Sequence, residues 1–336
     1  MRKYLLFVTS LFVSCQEEIT LDLPKADDKI VVQGAIENGY PPYVVLTKNQ
    51  GYFDAIDNET YTDLFINDVT SVKVWYYKEN GELSNEPKIL NQVIGLDSLL
   101  PPIFTDLTGN IPYEFSKAGR TYLLEIEWND KIISAETTIP FPTPLDCLWV
   151  ERDETEEKDY KYDIRAIYSD PANEQNNILI KSKRLQHIEW KDSLKLETKD
   201  RPDNILKLID AGPDVLVNGE TFETYFPRPS DNGFPTGKYN GTHVKENENG
   251  VFNFKNDIVL IKFCQIDEPS LKFWRGLIRQ AGTNGNPFAE PMNLVSNITN
   301  GLGVWTGYGS VYYKVDIIEG NVVDNEYTIE EGLDIT

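Results

Sequence analysis

Alternating apolar and polar positions in the first 140 residues predict a series of short β-strands. Two adjacent runs, residues 121–128 and 131–138, alternate well and are separated only by Asn129 and Asp130. Two turn-forming residues between alternating runs are typical of a tight β-hairpin. Three earlier runs are rich in β-branched and aromatic residues, which favour strands: Lys29–Ile36, Tyr43–Thr47 and Ser71–Tyr77.

A proline-rich segment divides the chain into two predicted domains. Several short strands at regular spacing indicate a β-sandwich over residues 30–140, close in size to an immunoglobulin-like domain. Pro140, Pro142 and Pro144 then break the alternation, and prolines at this density form a stiff linker. Residues 145–336 are expected to form a second, β-rich domain.

The second domain adds further strands and one helix. The helical segment has Pro269 at its start and Gly282 at its end, both common at helix termini. Its apolar residues fall on one face of a helix near residues 269–281: Leu271, Trp274, Leu277, Ile278 and Ala281. Strands are predicted at Cys147–Glu151, Tyr160–Tyr168, Asn177–Lys183, Ile188–Leu196, Asp257–Gln265 and within Gly301–Ile317. The expected fold class is mostly β, with an N-terminal immunoglobulin-like β-sandwich followed by a second β-rich domain with one helix.

The first fifteen residues have the pattern of a lipoprotein signal peptide. Arg2 and Lys3 precede an apolar run of about ten residues, which is too short to span a bilayer. Cys15 follows Ser14 directly, in a segment that resembles a lipobox, and it is predicted to carry the N-terminal lipid. Residues 16–29 would form a tether, so the protein is expected to be anchored in the outer membrane by its lipid. The alternative is an ordinary signal peptide that contains a cysteine.

The acidic composition narrows the classes of partner. The chain has 54 acidic and 32 basic residues and a net charge of −22, whereas nucleic-acid binding needs basic patches. Glu17 and Glu18 come shortly after Cys15 and resemble the export signal of surface-exposed lipoproteins; the alternative is a solvated tether. We therefore expect a protein that faces the cell surface and does not bind nucleic acid.

The sequence contains no recognisable motif for catalysis or for cofactor binding. His187 and His243 are the two histidines, and neither has a cysteine or histidine at ligand spacing, so a zinc site is not predicted. No hydrolase, metalloprotease or nucleotide-binding motif is present. We therefore expect no catalytic residues, no metal, no cofactor beyond the lipid on Cys15, and a protein that is not an enzyme. Cys147 and Cys264 leave two alternatives open, a disulfide or two buried free thiols.

Several segments together resemble one family of bacterial lipoproteins. The C-terminal signature comprises Gly285–Pro291, Val295–Ile298 and Gly301–Trp305; the supporting segments are Ile30–Ile36, Tyr122–Ile126 and Ala135–Pro140. This combination resembles the Bacteroidota outer-membrane lipoprotein family called domain of unknown function 4249, over nearly the whole mature chain. Trp305 stands where phenylalanine is more usual in the family. Glu290 and Asn297 are expected to hydrogen-bond the signature loop internally; a ligand site is the alternative.

The resemblance implies a partner in the membrane but no established activity. Family members are often encoded beside TonB-dependent outer-membrane receptors of the SusC kind, which implies a β-barrel partner, either such a receptor or an assembly machine. We therefore expect a surface-exposed accessory or binding subunit of a barrel complex. Its partner surface is expected on aromatic loops that contain Trp305, Tyr308, Tyr312 and Tyr313. Two alternatives are a secreted glycan- or peptide-processing enzyme and a plain surface adhesin.

Overall fold

The structure, a computed structural model, describes much of the chain between Lys29 and Val323. The described residues are 29–49, 63–93, 102–106, 113–153, 161–172, 176–192, 195–200, 206–213, 218–226, 238–239, 244–247, 250–283, 293–317 and 321–323. Within them the protein is mostly β, with nineteen strands and one α-helix, as predicted. The predicted signal peptide, the predicted tether up to residue 28 and signature residues 285–291 lie outside the described residues.

The strands and the helix are numbered in chain order. The first eight strands are β1 (Ile30–Glu37), β2 (Tyr43–Lys48), β3 (Ser71–Tyr76), β4 (Lys88–Ile89), β5 (Asn91–Val93), β6 (Ile103–Thr105), β7 (Thr121–Trp128) and β8 (Lys131–Thr138). The remaining elements are β9 (Cys147–Asp153), β10 (Lys161–Ser169), β11 (Asn177–Asp192), β12 (Lys195–Asp200), β13 (Lys207–Pro213), β14 (Thr221–Phe226), β15 (Lys238–Tyr239), β16 (Val244–Asn247), β17 (Gly250–Ile266), α1 (Glu268–Thr283), β18 (Leu302–Asp316) and β19 (Asn321–Val323).

The β7–β8 hairpin has the geometry that its sequence predicts. Trp128 pairs with Lys131 across the turn, and the pairing continues along both strands. Asn129 and Asp130 have φ angles of 49° and 59°, the left-handed values that a type I′ turn requires. The hairpin joins β3 and β4 in a four-stranded sheet of order β4-β3-β7-β8.

A twelve-stranded sheet combines strands from both predicted domains. Its main path has the order β12-β11-β17-β18-β1-β2-β6-β5. β1 runs parallel to β18, in register from Val31 opposite Leu302 to Glu37 opposite Tyr308. Strands of the predicted domains 30–140 and 145–336 therefore share one sheet, which a division at the proline-rich segment does not anticipate. The reason is that alternation identifies a strand but not the distant strand with which it pairs.

Both faces of the long central strands are covered by another layer. Successive side chains of a strand point to opposite faces. On one face of β17, Ile261 and Phe263 share a core cluster with residues of the three-stranded sheet β14-β10-β9. On the other face, Cys264 clusters with Leu271 and Trp274 of α1. The stacked sheets agree with the prediction of a β-sandwich-type fold.

Two predicted strands form a single strand in the structure. The sequence predicts strands at residues 177–183 and 188–196, whereas β11 runs without interruption through residues 177–192, and the last two residues of the second predicted range begin β12. The residues between the two apolar runs include Arg184 and Gln186, which are almost fully buried. Polar side chains that are buried and paired can continue a strand even though they interrupt its apolar pattern.

Candidate functional site: the α1 cleft

A cleft lies between α1, the segment that leads into β13, and the first residues of β1 and β18. Its volume is about 1080 Å³. The lining is mainly apolar, as in most sites for small molecules, and includes Val31, Leu208, Phe273, Trp274, Leu277 and Leu302. We take this cavity, called the α1 cleft below, as the candidate functional site.

A capping contact fixes the start of α1 over the sheets. Oδ1 of Asp267 accepts a hydrogen bond from the backbone N–H of Ser270 at 3.0 Å, which satisfies a donor of the first helical turn. Oδ2 of the same carboxylate accepts from Oγ1 of Thr137 at 2.6 Å and from the N–H of Thr138 at 3.2 Å. The cap therefore ties α1 to the end of β8.

The apolar face of α1 serves both the core and the cleft. Leu271 and Trp274 are buried, as their spacing predicts. Leu277 and Ile278 are half-buried and pack against the same cluster, while Ala281 is exposed. The helix reaches from Glu268 to Thr283, slightly beyond the predicted 269–281. Its second half leaves apolar surface available to the cleft, since Leu277 is one of the lining residues.

Gly303 brings two chain segments together at one wall of the cleft. Its φ is +105°, a conformation that L side chains rarely adopt. A Cβ at this position would lie 2.0 Å from the carbonyl oxygen of Val32, far inside contact distance. Glycine therefore allows β18 to approach β1 closely at this point.

Two lysines bring positive charge to the cleft. Lys181 on β11 is almost fully buried, and its Nζ lies 4.3 Å from the ring centroid of Trp274 and 5.4 Å from that of Tyr308. These distances are within the range of cation–π contacts. Lys207 on β13 also lines the cleft and is exposed. The lining residues that the structure describes include no aspartate or glutamate, in a chain that has 54 acidic residues.

A buried ion pair lies next to Lys181 on the same face of the sheet. Lys262 is the residue opposite Lys181 in the β11–β17 register, and its Nζ is 2.6 Å from Oε2 of Glu37 on β1. Oε1 of Glu37 is buried and accepts no hydrogen bond from the described residues. Nζ of Lys262 also lies 4.3 Å from the ring centroid of Tyr308. The pair joins β17 to β1 across β18, and breaking it would leave a charge in the interior.

A second buried pair occupies the opposite face of the same strands. Nε of Arg184 donates to Oδ1 of Asp257 and Nη2 donates to Oδ2, both at 2.7 Å. The two side chains are 1% and 0% exposed. Two parallel hydrogen bonds between guanidinium and carboxylate are among the strong polar contacts in proteins. Charged groups thus lie within both faces of the central strands.

The four aromatic residues predicted to form a partner surface lie inside the protein. Trp305, Tyr308, Tyr312 and Tyr313 are between 0% and 7% exposed and belong to the central strand β18. The prediction of exposed aromatic loops is therefore wrong for these residues. The glycines between them suggest loops, but in the structure they admit neighbouring backbone: a Cβ at Gly307 would lie 2.3 Å from the carbonyl oxygen of Thr138.

The tyrosines of β18 have structural roles instead. The rings of Tyr308 and Tyr312 flank the ammonium group of Lys262, with centroids 4.3 Å and 5.6 Å from Nζ. The hydroxyl of Tyr313 accepts a hydrogen bond from the N–H of Leu145 at 2.7 Å, and burial raises the pKa of Tyr313. Tyr308, which also faces Lys181, connects this row of groups to the cleft.

The signature loop is hydrogen-bonded internally, as predicted for Asn297. Nδ2 of Asn297 donates to the carbonyl oxygen of Trp305 at 2.8 Å, and Oδ1 accepts from the N–H of Trp305 at 2.9 Å. The adjacent Ser296 lines the cleft. Glu290, for which the same role is predicted, lies outside the described residues. The described part of the loop therefore closes onto β18 and forms part of the cleft wall.

Cys147 and Cys264 are free thiols in the structure. Cys264 is buried beneath α1, where Oγ of Ser310 donates to its Sγ at 3.3 Å. Burial raises the pKa of the Cys264 thiol to about 12, so it stays protonated at neutral pH. Cys147 is exposed, contrary to the alternative of two buried thiols. Cys15, the predicted site of the lipid, lies outside the described residues.

Sequence reasoning does not single out the charged residues of this region. One signal was available, since Lys262 interrupts the otherwise mainly apolar run Asp257–Gln265. A lysine in a strand that is covered on both faces has to be paired. Glu37 gives no comparable signal, because it comes directly after the predicted strand Lys29–Ile36, where a charge is usually solvated.

The part of the chain that the structure describes contains neither a cluster of metal ligands nor a membrane-spanning helix. No group of three or more histidine, cysteine, aspartate or glutamate side chains there is placed to hold a metal ion. None of its helices has the length and hydropathy needed to cross a membrane.

Comparisons with known proteins identify a family. Neither the curated proteins nor the solved structures include a match to this chain. A family model described as "Domain of unknown function (DUF4249)" matches residues 16–313. The match covers most of the chain, including β1, the β7–β8 hairpin, α1 and nearly all of β18, and it confirms the resemblance carried by the signature segments. The chain therefore belongs to the DUF4249 family.

Proposed function

We propose that the protein is a lipid-anchored binding subunit at the surface of the outer membrane, where it holds a ligand in the α1 cleft. In this role it works with an outer-membrane β-barrel, such as a TonB-dependent receptor of the SusC kind. The observation that carries the proposal is the cleft itself. Its mainly apolar lining matches that of small-molecule sites, and its volume of about 1080 Å³ is slightly above the range of about 300–1000 Å³ that such sites usually enclose.

The position of the cleft along the chain supports a role close to the membrane. Val31 lines the cleft and comes two residues after the end of the predicted tether, residues 16–29. A chain of this length spans at most about 50 Å when fully extended. With the lipid on Cys15, the cleft would therefore stay within a few nanometres of the bilayer and of any barrel embedded in it.

The surface near the cleft entrance offers apolar groups for a protein partner. Val295 and Leu302 are 51% and 37% exposed, and both belong to the segment that closes the cleft next to the anchored end of β1. Contiguous exposed apolar surface marks interaction sites, and we propose that these two side chains contribute to such a surface. A barrel docked here would face the cleft, which suits transfer of a ligand between the two proteins.

Affinity purification from native outer membranes tests this function. The full-length tagged lipoprotein is isolated in mild detergent, and the proteins that stay bound are identified and quantified by mass spectrometry. We expect an outer-membrane barrel in stoichiometric amount. A Cys15→Ala variant is the matched control, because it lacks the lipid acceptor and should appear in the soluble fraction without the barrel. Recovery of the wild-type lipoprotein alone would reject the accessory role, and turnover of a glycan or peptide by the purified protein would favour an enzyme.

A further inference from the structure

We infer that a second cavity, between the edge strands β13 and β14, binds a small apolar amine: a ligand with about one ring that ends in an ammonium group. The cavity, called the β13–β14 cavity below, has a volume of about 220 Å³. Its inner end includes Tyr168, Ile180 and Phe263, and its mouth includes Asp210, Gly212 and Phe222. Among the described residues it shares no lining residue with the α1 cleft, so the inference goes beyond the proposed function and does not depend on it.

Strand register determines which side chains project into this cavity. Asp210 on β13 is opposite Ile180 on β11, and Ile180 is opposite Phe263 on β17. Residues directly opposite each other in paired strands project from the same face of the sheet. Ala211 belongs to the core cluster beneath α1, so its neighbours along β13 point to the other face. The side chain of Asp210 therefore projects on the face that lines the β13–β14 cavity, away from α1.

The inner end of the cavity is apolar and aromatic. Tyr168 on β10 packs against Phe263 and Phe222, with ring centroids 5.3 Å and 5.7 Å apart. Tyr168 and Phe263 are almost fully buried, whereas Phe222 is partly buried on β14. Apolar cavities exclude water and bind small apolar molecules. Because the volume is below the usual range of about 300–1000 Å³, the apolar part of the ligand is limited to about one ring.

One carboxylate at the mouth selects the charge of the ligand. Oδ1 of Asp210 accepts a hydrogen bond from the N–H of Ala211 at 2.8 Å, and the described contacts of this carboxylate include no ion pair. The lining residues that the structure describes include no lysine, arginine or histidine. Asp210 lies two strands away from Phe263, about 10 Å, so the charged and apolar ends of the cavity are separate. A ligand with an apolar body inside and an ammonium group at the mouth matches both ends.

Gly212 leaves space at the mouth of the cavity. It stands two positions after Asp210 on β13 and therefore projects on the same face. A Cβ at Gly212 would meet no atom within 4 Å, and this glycine does not have a positive φ. A larger side chain at this position would therefore enter open space without backbone strain, which provides a way to fill the cavity.

Three probes of similar shape test the ligand class: phenethylamine, the neutral phenethyl alcohol and the anion hydrocinnamate. The full-length lipoprotein is reconstituted into phosphatidylcholine nanodiscs, and binding of each radiolabelled probe is measured by equilibrium dialysis after subtraction of empty nanodiscs. We expect phenethylamine to bind about fivefold more tightly than the alcohol, which is the upper end for an exposed ion pair, and hydrocinnamate to bind most weakly. Equal affinity for the amine and the alcohol, or no binding of the amine above the empty nanodiscs, would overturn the inference.

The variant Asp210→Asn assigns the preference for a cation to one residue. Asparagine retains an oxygen that accepts from the N–H of Ala211 but has no charge, so we expect phenethylamine to bind about fivefold more weakly and phenethyl alcohol to bind as before. Asp163→Asn is the matched control. It changes the net charge equally, but Asp163 points away from the cavity, because its neighbour Ile164 lies in the core cluster between the sheets. An undiminished preference for the amine in Asp210→Asn would refute the role of this carboxylate.

The variant Gly212→Leu tests whether the amine binds inside the cavity. The leucine side chain should fill the mouth, so we expect binding of phenethylamine and of phenethyl alcohol to be lost. The variant retains every charge of the protein, which has a net charge of −22. Amine that is attracted only by the acidic surface would therefore stay bound, and that result would overturn the cavity as the site. If Gly212→Leu does not fold, Asp210→Asn still decides the question, because Asp210 is exposed and its conservative replacement should leave the fold intact.

Discussion

The β7–β8 hairpin and the paired strands β11 and β17 are both long antiparallel ladders, but they place polar side chains differently. Along β7, Tyr122, Leu124 and Ile126 are buried while the residues between them are only half-buried. Along β11, Lys181 and Arg184 are both almost fully buried. The hairpin follows the usual arrangement of an apolar face and a wetter face, whereas the long strands are covered on both sides.

The difference shows which strands need internal partners for their charged side chains. A strand with one solvent-exposed face, as in the β7–β8 hairpin, can keep its charged side chains hydrated. Its stability therefore comes from apolar packing and from the turn. A strand that is buried on both faces must pair its charged side chains within the protein, because a buried charge without a partner is strongly unfavourable. The second situation also supplies the cleft with a lysine, since Lys181 belongs both to the buried polar row and to the lining.

We expect Asp257→Ala to cause the largest loss of stability and to test this contrast most severely. The substitution removes the carboxylate that makes two 2.7 Å hydrogen bonds with Arg184, and breaking a buried pair costs about 3–5 kcal/mol. The free energy of unfolding from urea denaturation measures the effect. Glu125→Ala is the control, because it breaks the partly exposed 3.5 Å pair with Lys73 and should cost less than about 1 kcal/mol. Similar losses for the two variants would show that burial does not distinguish the regions.

Lys262→Met should cost about 3 kcal/mol, because it leaves the carboxylate of Glu37 in the interior without its 2.6 Å partner. The same denaturation experiment on the double variant Lys262→Met/Glu37→Leu sharpens the result. Replacing both charges with apolar groups removes the buried carboxylate as well, so we expect the double variant to be more stable than the single one. A double variant that is less stable than Lys262→Met would mean that the apolar pair cannot pack in this site.

The parts of the fold that the sequence predicts are those that depend on nearby residues. The β7–β8 hairpin follows from alternation and from Asn129-Asp130, and α1 follows from apolar spacing between Pro269 and Gly282. The pairing of β1 with β18 could not be predicted in this way, because it joins residues about 270 positions apart and alternation carries no information about the partner strand. The same limitation explains why a single sheet contains strands from both predicted domains.

The candidate site was less predictable than the fold for a related reason. The walls of the α1 cleft come from five separate parts of the chain, represented by Val31, Lys181, Leu208, Trp274 and Leu302. Only the last of these parts belongs to the family signature, and there the sequence favours internal hydrogen bonds over a ligand site. The glycines between the aromatic residues of β18 favour the prediction of exposed loops. In the structure those glycines allow neighbouring backbone to approach closely, and the aromatic rings are buried.

Gly303→Ala probes the seam between β1 and β18, two paired strands that come from different predicted domains, and we expect an intermediate loss of about 2 kcal/mol from backbone strain. Alanine at this position would have to adopt a φ of +105°. Its Cβ would lie 2.0 Å from the carbonyl oxygen of Val32, so β1 and β18 would have to move apart. Thermal and urea unfolding measure the loss. Gly212→Ala is a matched control on β13, since a Cβ there meets no atom within 4 Å. If both variants unfold like the wild type, the close approach at Gly303 does not contribute to the stability of the seam.

The smallest effect is expected in the hairpin, where the turn rather than a buried charge sets the register. Asp130 has φ of 59°, and a β-branched residue is strained in this conformation, so Asp130→Val should cost about 1 kcal/mol. Asp130→Gly should change the free energy of unfolding by less than about 0.5 kcal/mol, because glycine adopts the same φ without a steric penalty. The contrast between the two substitutions separates backbone strain from loss of the carboxylate. A loss for Asp130→Gly equal to that for Asp130→Val would show that the side chain stabilises the hairpin, and the turn would then depend on polar contacts, as the long strands do.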